Sequence, residues 1–502
     1  MSAAPAAAVA GDGVVGTPAE ALRARLLAVA PHLLPAGEPV PEGGPGSLLA
    51  RLADAVAAEP TGARLWVLAS AAAAAYPTSE ELEGLRRALE LAAPGERLGA
   101  VLTAVAPAAA SVRGGLVTAE AVELALVDVD FCATNAHNTG IQRVVRNTVK
   151  HWPAEAVELA AWAPDGSGYR RLTPAQRELA TAWRSGMDSV RADTSDAPLL
   201  IPVGGAVLIP EVPGRDRIPR LAAIAEHSPA RVGLIGYDAI PIVSAETVSD
   251  EESDRFAHYL AIVKHADAVS CISETTAEEF RGFGAALAAQ GLSAPDVVAQ
   301  PLPAVPPVPL DPGAAAPGPP RERPLVLMVG SVEPRKNQEG VLSAARILWG
   351  EGLDFELRFI GGGTAWYLHR LRALLAPLRA PGRHVELLVG APDELVQASY
   401  RDARVVAFPS LQEGYGLPVA EALATGTPVV TSAYGSTAEI AAAGGCLVVD
   451  PRDDDAIAAA LRAVLVDEEV HARLLAETGA RPAGSWAAYA AEVWSELAGA
   501  AR

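Results

Sequence analysis

The sequence predicts an α/β protein built on two parallel sheets, preceded by a section made of helices. Three observations carry that prediction. From Ala121 to about residue 300, short apolar runs alternate with helical patterns, and the alternation returns from Pro324 onward. Such alternation implies parallel sheets with helices on their faces. Between the two runs lies PLPAVPPVPLDPGAAAPGPP (Pro301 to Pro320), a stiff proline-rich linker. Before them, up to about Thr118, Ala, Leu, Pro and Gly dominate and the patterned segments read as helices. The expected divisions are a helical extension over 1–118, a first α/β domain over 119–300 and the linker over 301–322. A second α/β domain over 323–484 and a closing helix over 485–502 complete the chain.

Bulk properties agree. A chain of 502 residues is too long for one ordinary domain and long enough for two cores and an extension. Half the residues are apolar, as in a globular protein, and the formal charge of −20 argues against nucleic acid or an anionic membrane as partner. Local basic surfaces and peripheral membrane contact stay open. Cys132, Cys271 and Cys446 are scattered and in no metal or redox spacing, which points to a reducing, cytoplasmic setting. The first residues lack the basic start and apolar core of a signal peptide. The run Leu98 to Val112 is shorter than the roughly 20 residues a membrane span needs, and Pro107 interrupts it.

In the extension, residues 18–30, 47–59, 62–76 and 78–93 read as helices, and Met1 to Gly16 is expected to be disordered. TSEELEGLRRALELAA has a Thr/Ser start, acids in the first turn and leucines at helical spacing. Ala69 to Ala75 is nearly pure Ala and Ser, with high helix propensity and little to pack. No catalytic pattern occurs here, which leaves partner docking, oligomerisation or a structural role. In the first α/β domain, VELALVDVDF (Val122 to Phe131) reads as a strand and NTGIQRVVRNTVKHW (Asn138 to Trp152) as a loop and helix. AVLIPE (from Ala206) and RVGLIGYDAIPI (from Arg231) read as strands, the second ending in a loop. DAVSCISETTAEEF (from Asp267) reads as strand, turn and helix.

The second α/β domain carries the chemistry. PLVLMVG (Pro324 to Gly330) is a buried strand running into SVEPRKN, which puts Arg335 and Lys336 in a loop at the strand's carboxyl end, where open α/β sheets bind ligands. The chain holds only three lysines, Lys150, Lys264 and Lys336, so a Lys beside an Arg in that loop suggests a need for a compact point charge. Further on, VVAFPS (Val405 to Ser410) is a strand and EGYGLPVAE (Glu413 to Glu421) a glycine-rich turn entering a helix, closed by Gly426 before the strand PVVTS. Gly414 and Gly416 permit close backbone approach, and Pro418 at the helix start fits an end whose open amides suit an anion such as phosphate. Two carboxylates would repel that phosphate, so Glu413 and Glu421 are read as acceptors for hydroxyls on either side of it. A ligand with hydroxyls flanking phosphate is a nucleotide sugar.

The same residues carry a family resemblance. VGSVEPRKN (Val329 to Asn337), FIGGG (Phe359 to Gly363), FPSLQEGYGLPVAEALATGTPVVTS (Phe408 to Ser432), Glu439-Ile440 and LVVDP (Leu447 to Pro451) resemble the nucleotide-binding domain of retaining glycosyltransferases of family four. The Glu-x7-Glu element is that family's signature. Those enzymes have the GT-B fold, two Rossmann-like domains with a cleft between them. The resemblance implies that Arg335 and Lys336 hold the donor diphosphate, Glu413 meets the donor sugar and Glu421 binds the ribose. Backbone around Tyr415, Gly416 and Leu417 would meet sugar and phosphate, with Gly414, Gly330 and Asn337 in the same donor-binding set. VGAPDEL (Val389 to Leu395), with Gly390, would pass near the base.

The first domain resembles the family more loosely, and a bacterial mannosyltransferase-like group in particular, through its D-V-x-D strand and T-G-I-x-R-V. By that resemblance Gly140 lies near the donor phosphates, and Arg143 opens the helix that follows. Tyr237, Asp238 and Pro241 align with a loop that usually reads His-Asp-x-x-Pro. Tyr237 replaces the histidine, which argues against catalysis at that position, while Asp238 is a candidate for orienting the acceptor or a donor hydroxyl. The implied activity is retaining hexosyl transfer from GDP-mannose, or else a UDP-hexose, to a glycan, lipid-linked sugar or small molecule, without metal or other cofactor. A sugar-nucleotide epimerase of the same fold, or a non-catalytic scaffold, are the alternatives.

Two motifs are set aside. Asp128-Val129-Asp130 has the form of an Asp-x-Asp metal site, with both acids on one face of a strand, but the donor pocket belongs to the other domain. Gly361-Gly362-Gly363 suggests a dinucleotide loop, yet Trp366 occupies the third glycine position. At the end of the chain, SWAAYAAEVWSELAGA reads as an amphipathic helix whose Trp486, Tyr489 and Trp494 face a core. In GT-B proteins such a helix returns to the first domain.

Overall fold

The structure, a computed structural model, describes residues 16–110, 116–194, 196–307, 322–378 and 383–499. The expectation of disorder over Met1 to Gly16 therefore falls outside the described residues except at Gly16, and most of the proline-rich linker does so too.

The second domain is a six-stranded, wholly parallel sheet. Its strands are β10 (Leu325–Val329), β11 (Glu356–Ile360), β12 (His384–Leu388), β13 (Val405–Phe408), β14 (Val429–Ser432) and β15 (Cys446–Val449). The order β12-β11-β10-β13-β14-β15 reverses direction between β10 and β13. A crevice opens at such a reversal, outside the carboxyl ends of the strands. The loops that leave β10 and β13 are the two that carry Arg335-Lys336 and Glu413.

The first domain has seven strands in the order β4-β3-β2-β6-β7-β8-β9. These are β2 (Ala125–Asp128), β3 (Val157–Trp162), β4 (Tyr169–Arg171), β6 (Ala206–Ile209), β7 (Arg231–Gly236), β8 (Ala268–Cys271) and β9 (Asp296–Ala299). All pair in parallel except β4, which runs antiparallel to β3. The strand expected over Val122 to Phe131 is two. β1 (Ala119–Val122) pairs with β5 (Leu199–Pro202) in a separate sheet, and the chain bends at Leu124 to enter the main sheet as β2.

The helical section contains Pro18–Leu33, Pro45–Ala58, Gly62–Ala73 and Ser79–Leu91, close to the expected spans, and a fifth helix, Arg97–Ala110. That fifth helix lies where the sequence showed only an apolar run too short for a membrane. Among the described residues no helix is long and apolar enough to cross one. The section is no detached appendage. Its buried Leu26, Trp66 and Leu68 form one hydrophobic cluster with Leu126, Val207, Ile209 and Val232 of the first sheet. Tyr76 packs edge-on against Trp162 and Tyr169, and its hydroxyl donates to Leu200 O. Buried Arg25 ties the layers together by donating to Ala71 O at 2.7 Å and to Val117 O at 2.6 Å.

The closing helix, Trp486–Ala498, lies against the first domain. It contacts the helix Gly140–Val149 and strands β6 to β8. Trp152 Nε1 donates to Ala490 O at 3.0 Å, and Trp494 packs on Trp152 with ring centroids 5.6 Å apart. Tyr489 is buried and Trp486 and Trp494 are partly so, which makes the aromatic face core.

Candidate donor site in the cleft

The loop after β10 folds as a single turn, Pro334–Lys336, and Asn337 follows in the left-handed region at φ 63°. There Asn337 caps the helix Gln338–Gly350: its Oδ1 accepts from Gly340 N at 3.2 Å. Its Nδ2 donates to Pro409 O at 3.1 Å and Pro451 O at 2.6 Å. Both ends of the Asn337 side chain are thus engaged by the protein. The side chain thereby fixes the loop that carries Arg335 and Lys336.

That loop presents its two cations to Glu413. Lys336 Nζ lies 2.7 Å from both carboxylate oxygens, and Arg335 Nη1 lies 3.1 Å from Oε2. Lys336 also sits 5.2 Å from the ring centre of Phe408. The Lys336 and Glu413 side chains are 9 % and 8 % exposed, so this is a buried pair. Burial raises the Glu413 carboxyl, but the two cations overcome it and hold the group below its ordinary value. Burial pushes the Lys336 ammonium down, against the pull of Glu413.

The first domain closes over this cluster. Asp238, at the end of β7, lies near Arg335, Lys336 and Glu413. Burial raises its carboxyl and Arg335 opposes the rise. Tyr237 points away: its hydroxyl donates to Pro210 O at 2.7 Å inside the first domain, so the residue in the histidine's place is a core residue. Gly414 passes so close that a Cβ there would lie 2.4 Å from Tyr237 O and 3.0 Å from Asp238 Oδ2. Its own carbonyl accepts from Ser273 Oγ at 2.6 Å and Thr276 Oγ1 at 3.0 Å. Close approach is what this glycine provides, here to the opposite domain.

Gly416 takes φ 108° and starts the helix Leu417–Ala424, with Pro418 in its first turn. Tyr415 turns inward, its hydroxyl donating to Leu302 O at 2.5 Å, which leaves backbone as its contribution to the cleft. Glu421, one turn into the helix, is buried. Arg143 Nη2 lies 2.5 Å from its Oε1, and Tyr400 donates to its Oε2 at 3.1 Å. Burial raises the Glu421 carboxyl and Arg143 opposes this. Gly140 starts the helix that carries Arg143, and a Cβ on it would meet Leu417 Cδ1 at 3.7 Å. Gly390 is exposed beyond β12 at φ 73°. Gly330 follows β10, and its carbonyl lies 1.8 Å from the position a Cβ on Gly361 would take. Gly363 likewise packs on Val332 O, so these two glycines of the triple-glycine run allow neighbouring strand ends to meet.

Glu439 was part of the family pattern without a role. Its carboxylate accepts from Glu274 N at 3.0 Å and Thr275 N at 2.7 Å, capping a helix of the opposite domain. Asp128 and Asp130 do not share a strand face, because β2 ends at Asp128 and Asp130 begins a helix. Asp128 accepts from Tyr169 OH at 2.8 Å, and Asp130 accepts from Trp162 N at 3.0 Å. Among the described residues no cluster of His, Cys, Asp and Glu could hold a metal ion.

Comparison with known proteins agrees with this geometry. Residues 314–479 match the family described as Glycosyl transferases group 1. O-antigen chain mannosyltransferase B of Escherichia coli is 36 % identical over 145 residues, 28 % of this chain and 37 % of that protein. A serotype-specific mannosyltransferase, WbdA of Escherichia coli, is 27 % identical over 336 residues, 61 % of this chain and 37 % of its own length. A D-inositol 3-phosphate glycosyltransferase of Xylanimonas cellulosilytica is 38 % identical over 188 residues, 36 % of this chain and 43 % of that protein. The chain spans less than half the length of these curated relatives. Among solved structures, Anabaena Alr3699/HepE in complex with UDP and glucose superposes with a TM-score of 0.54 at 12 % identity, covering 75 % of this chain and all of that one. Residues 314–479 match the group 1 glycosyl transferase family, the fold is GT-B, and the chain resembles a bacterial mannosyltransferase-like group.

Proposed function

We propose that this protein, a GT-B glycosyltransferase by relationship, transfers a hexose with retention from a nucleotide-sugar donor. Mannose from GDP-mannose is the first choice and a UDP-hexose the second. The acceptor is a glycan, a lipid-linked sugar or a small molecule. The observation that carries the proposal is the convergence of Arg335, Lys336, Glu413 and Asp238 on one point of the cleft, at the strand-order reversal of the second sheet.

As the glycosidic bond breaks, the nucleoside diphosphate gains negative charge. In this reading Arg335, Lys336 and the helix start at Pro418 stabilise that charge, with no metal or other cofactor assigned. An ammonium has three donors and a guanidinium five, so both cations keep donors beyond those directed at Glu413. Glu413, held ionised by the same cations, would accept from a sugar hydroxyl, and Glu421 from the ribose diol. Retention is assigned to front-face attack, in which a donor phosphate oxygen takes the acceptor's proton. Asp238 would orient the acceptor or a donor hydroxyl. A panel of nucleotide sugars in a thermal-shift assay, followed by labelled donors, tests the reading. Stabilisation by one donor with transfer or slow hydrolysis is expected. Interconversion of free sugar nucleotides would indicate an epimerase, and the absence of any binding or turnover would indicate a scaffold.

A further inference from the structure

Glu421 belongs to the second domain, yet its counter-charge comes from the first. Helices Gly140–Val149 and Leu417–Ala424 face each other across the cleft for one turn: Gly140 stands opposite Leu417, and one turn further on Arg143 stands opposite Glu421. The Glu421 side chain is 4 % exposed and that of Arg143 27 %. The guanidinium reaches Oε1 at 2.5 Å and Tyr400 donates to Oε2 at 3.1 Å, and a carboxylate oxygen with one such contact keeps a second acceptor direction. Three charged or titratable groups act on Glu421: Arg143 from the first domain, and Tyr400 and Asp393 from the helix Asp393–Asp402. Tyr400 is held well above its ordinary range and stays neutral, and Asp393 is acidic, so Arg143 is the cation among them.

From this arrangement we infer that Arg143 is a positioning residue of the nucleoside subsite, supplied by the opposite domain to keep Glu421 ionised and aimed at a ligand's vicinal hydroxyls. The inference rests on the nucleotide-sugar reading above. A buried carboxyl without a counter-charge takes up a proton, and a protonated Glu421 would offer fewer acceptor directions to a ribose diol. Donor recognition would then depend on the closed arrangement of the two domains, although the ribose contact itself lies in one of them.

Calorimetric titration of UDP and GDP into the full chain between pH 6 and 9 tests this, comparing wild type, Arg143→Met, Arg143→Lys and Glu421→Gln. Arg143→Met should weaken binding about tenfold at pH 7, equivalent to about 1.4 kcal/mol. Its deficit relative to wild type should shrink as pH rises and Glu421 ionises without help. Arg143→Lys should stay near wild type, which also covers any loss of folding in the Met variant. Glu421→Gln should be weak at every pH. Equal or tighter binding by Arg143→Met, or a deficit constant across pH, would overturn the inference while leaving the donor-site reading intact. A wild-type chain that binds neither nucleotide would instead sink that reading, and the inference with it.

Discussion

The two walls of the cleft are built in opposite ways. The second domain's wall is local: Arg335 and Lys336 leave β10, Glu413 leaves β13, and these adjacent parallel strands bring the groups together at their carboxyl ends. The first domain's wall depends on parts far apart in sequence. Its sheet is backed by a helical section that begins more than a hundred residues earlier, and its helix at Gly140 is held from behind by the chain's last helix. The charged cluster is therefore drawn from two loops of one sheet, and its support is spread along the whole chain. The cluster's residues stand in two short loop motifs, whereas the layer behind them is marked by none.

The largest expected effect falls on the support. Trp66→Ala opens a cavity between helical section and sheet and should cost roughly 3–5 kcal/mol, read by denaturant unfolding. For the same reason, removal of residues 1–115 should leave an insoluble chain. A soluble truncated protein that still binds nucleoside diphosphate would break the comparison between the walls.

The next effect falls on the ligand groups. Lys336→Ala should lower kcat by on the order of 10²-fold or more, as loss of a charge-stabilising donor does. Its loop position suggests an unaffected fold, but the buried ion pair says otherwise: Glu413 would lose its main counter-charge, at a cost of roughly 3–5 kcal/mol. Glu413→Gln, with both polar ends retained, should lose turnover yet keep nucleoside diphosphate affinity nearly unchanged. Full activity in Lys336→Ala would remove the assignment.

A moderate effect is expected where the walls touch. Gly414→Ala forces a Cβ against Tyr237 O, so the two loops must separate. Donor hydrolysis and transfer should both fall, while melting temperature, set by the two cores, should change by only a few degrees, about what 1 kcal/mol produces in a large domain. Unchanged turnover would mean that the contact is not needed for catalysis.

A separate effect concerns the acids behind the first wall. Burial pushes Asp128 up to about 7 and Glu211 up to about 8, each raised further by a neighbouring carboxyl. In the unfolded chain both ionise near pH 4. The folded state therefore binds more protons than the unfolded one above that pH, and stability should fall as pH rises toward 8. Melting curves between pH 5 and 9 should show the decline, and Asp128→Asn should flatten it. A flat wild-type profile would refute the assignment.

By itself the sequence determined the α/β alternation of both domains and several of their parallel strands, and it singled out Arg335, Lys336, Glu413 and Glu421 as candidates. These features rest on local patterns, apolar runs that can only be buried strands and glycines at a strand-to-helix turn. β3, β4, β5, β9 and β12 are not legible in the sequence, although β3 with six residues is as long as β7. Only tertiary structure showed the Asn337 amide bonded to the carbonyls of Pro409 and Pro451. Tertiary structure alone also decided that the helical section is the back of the first sheet, that Glu439 caps the opposite domain, and that Arg143 reaches Glu421. Such contacts depend on distance in space between residues far apart in the chain, and no periodicity or motif in a single chain records that distance.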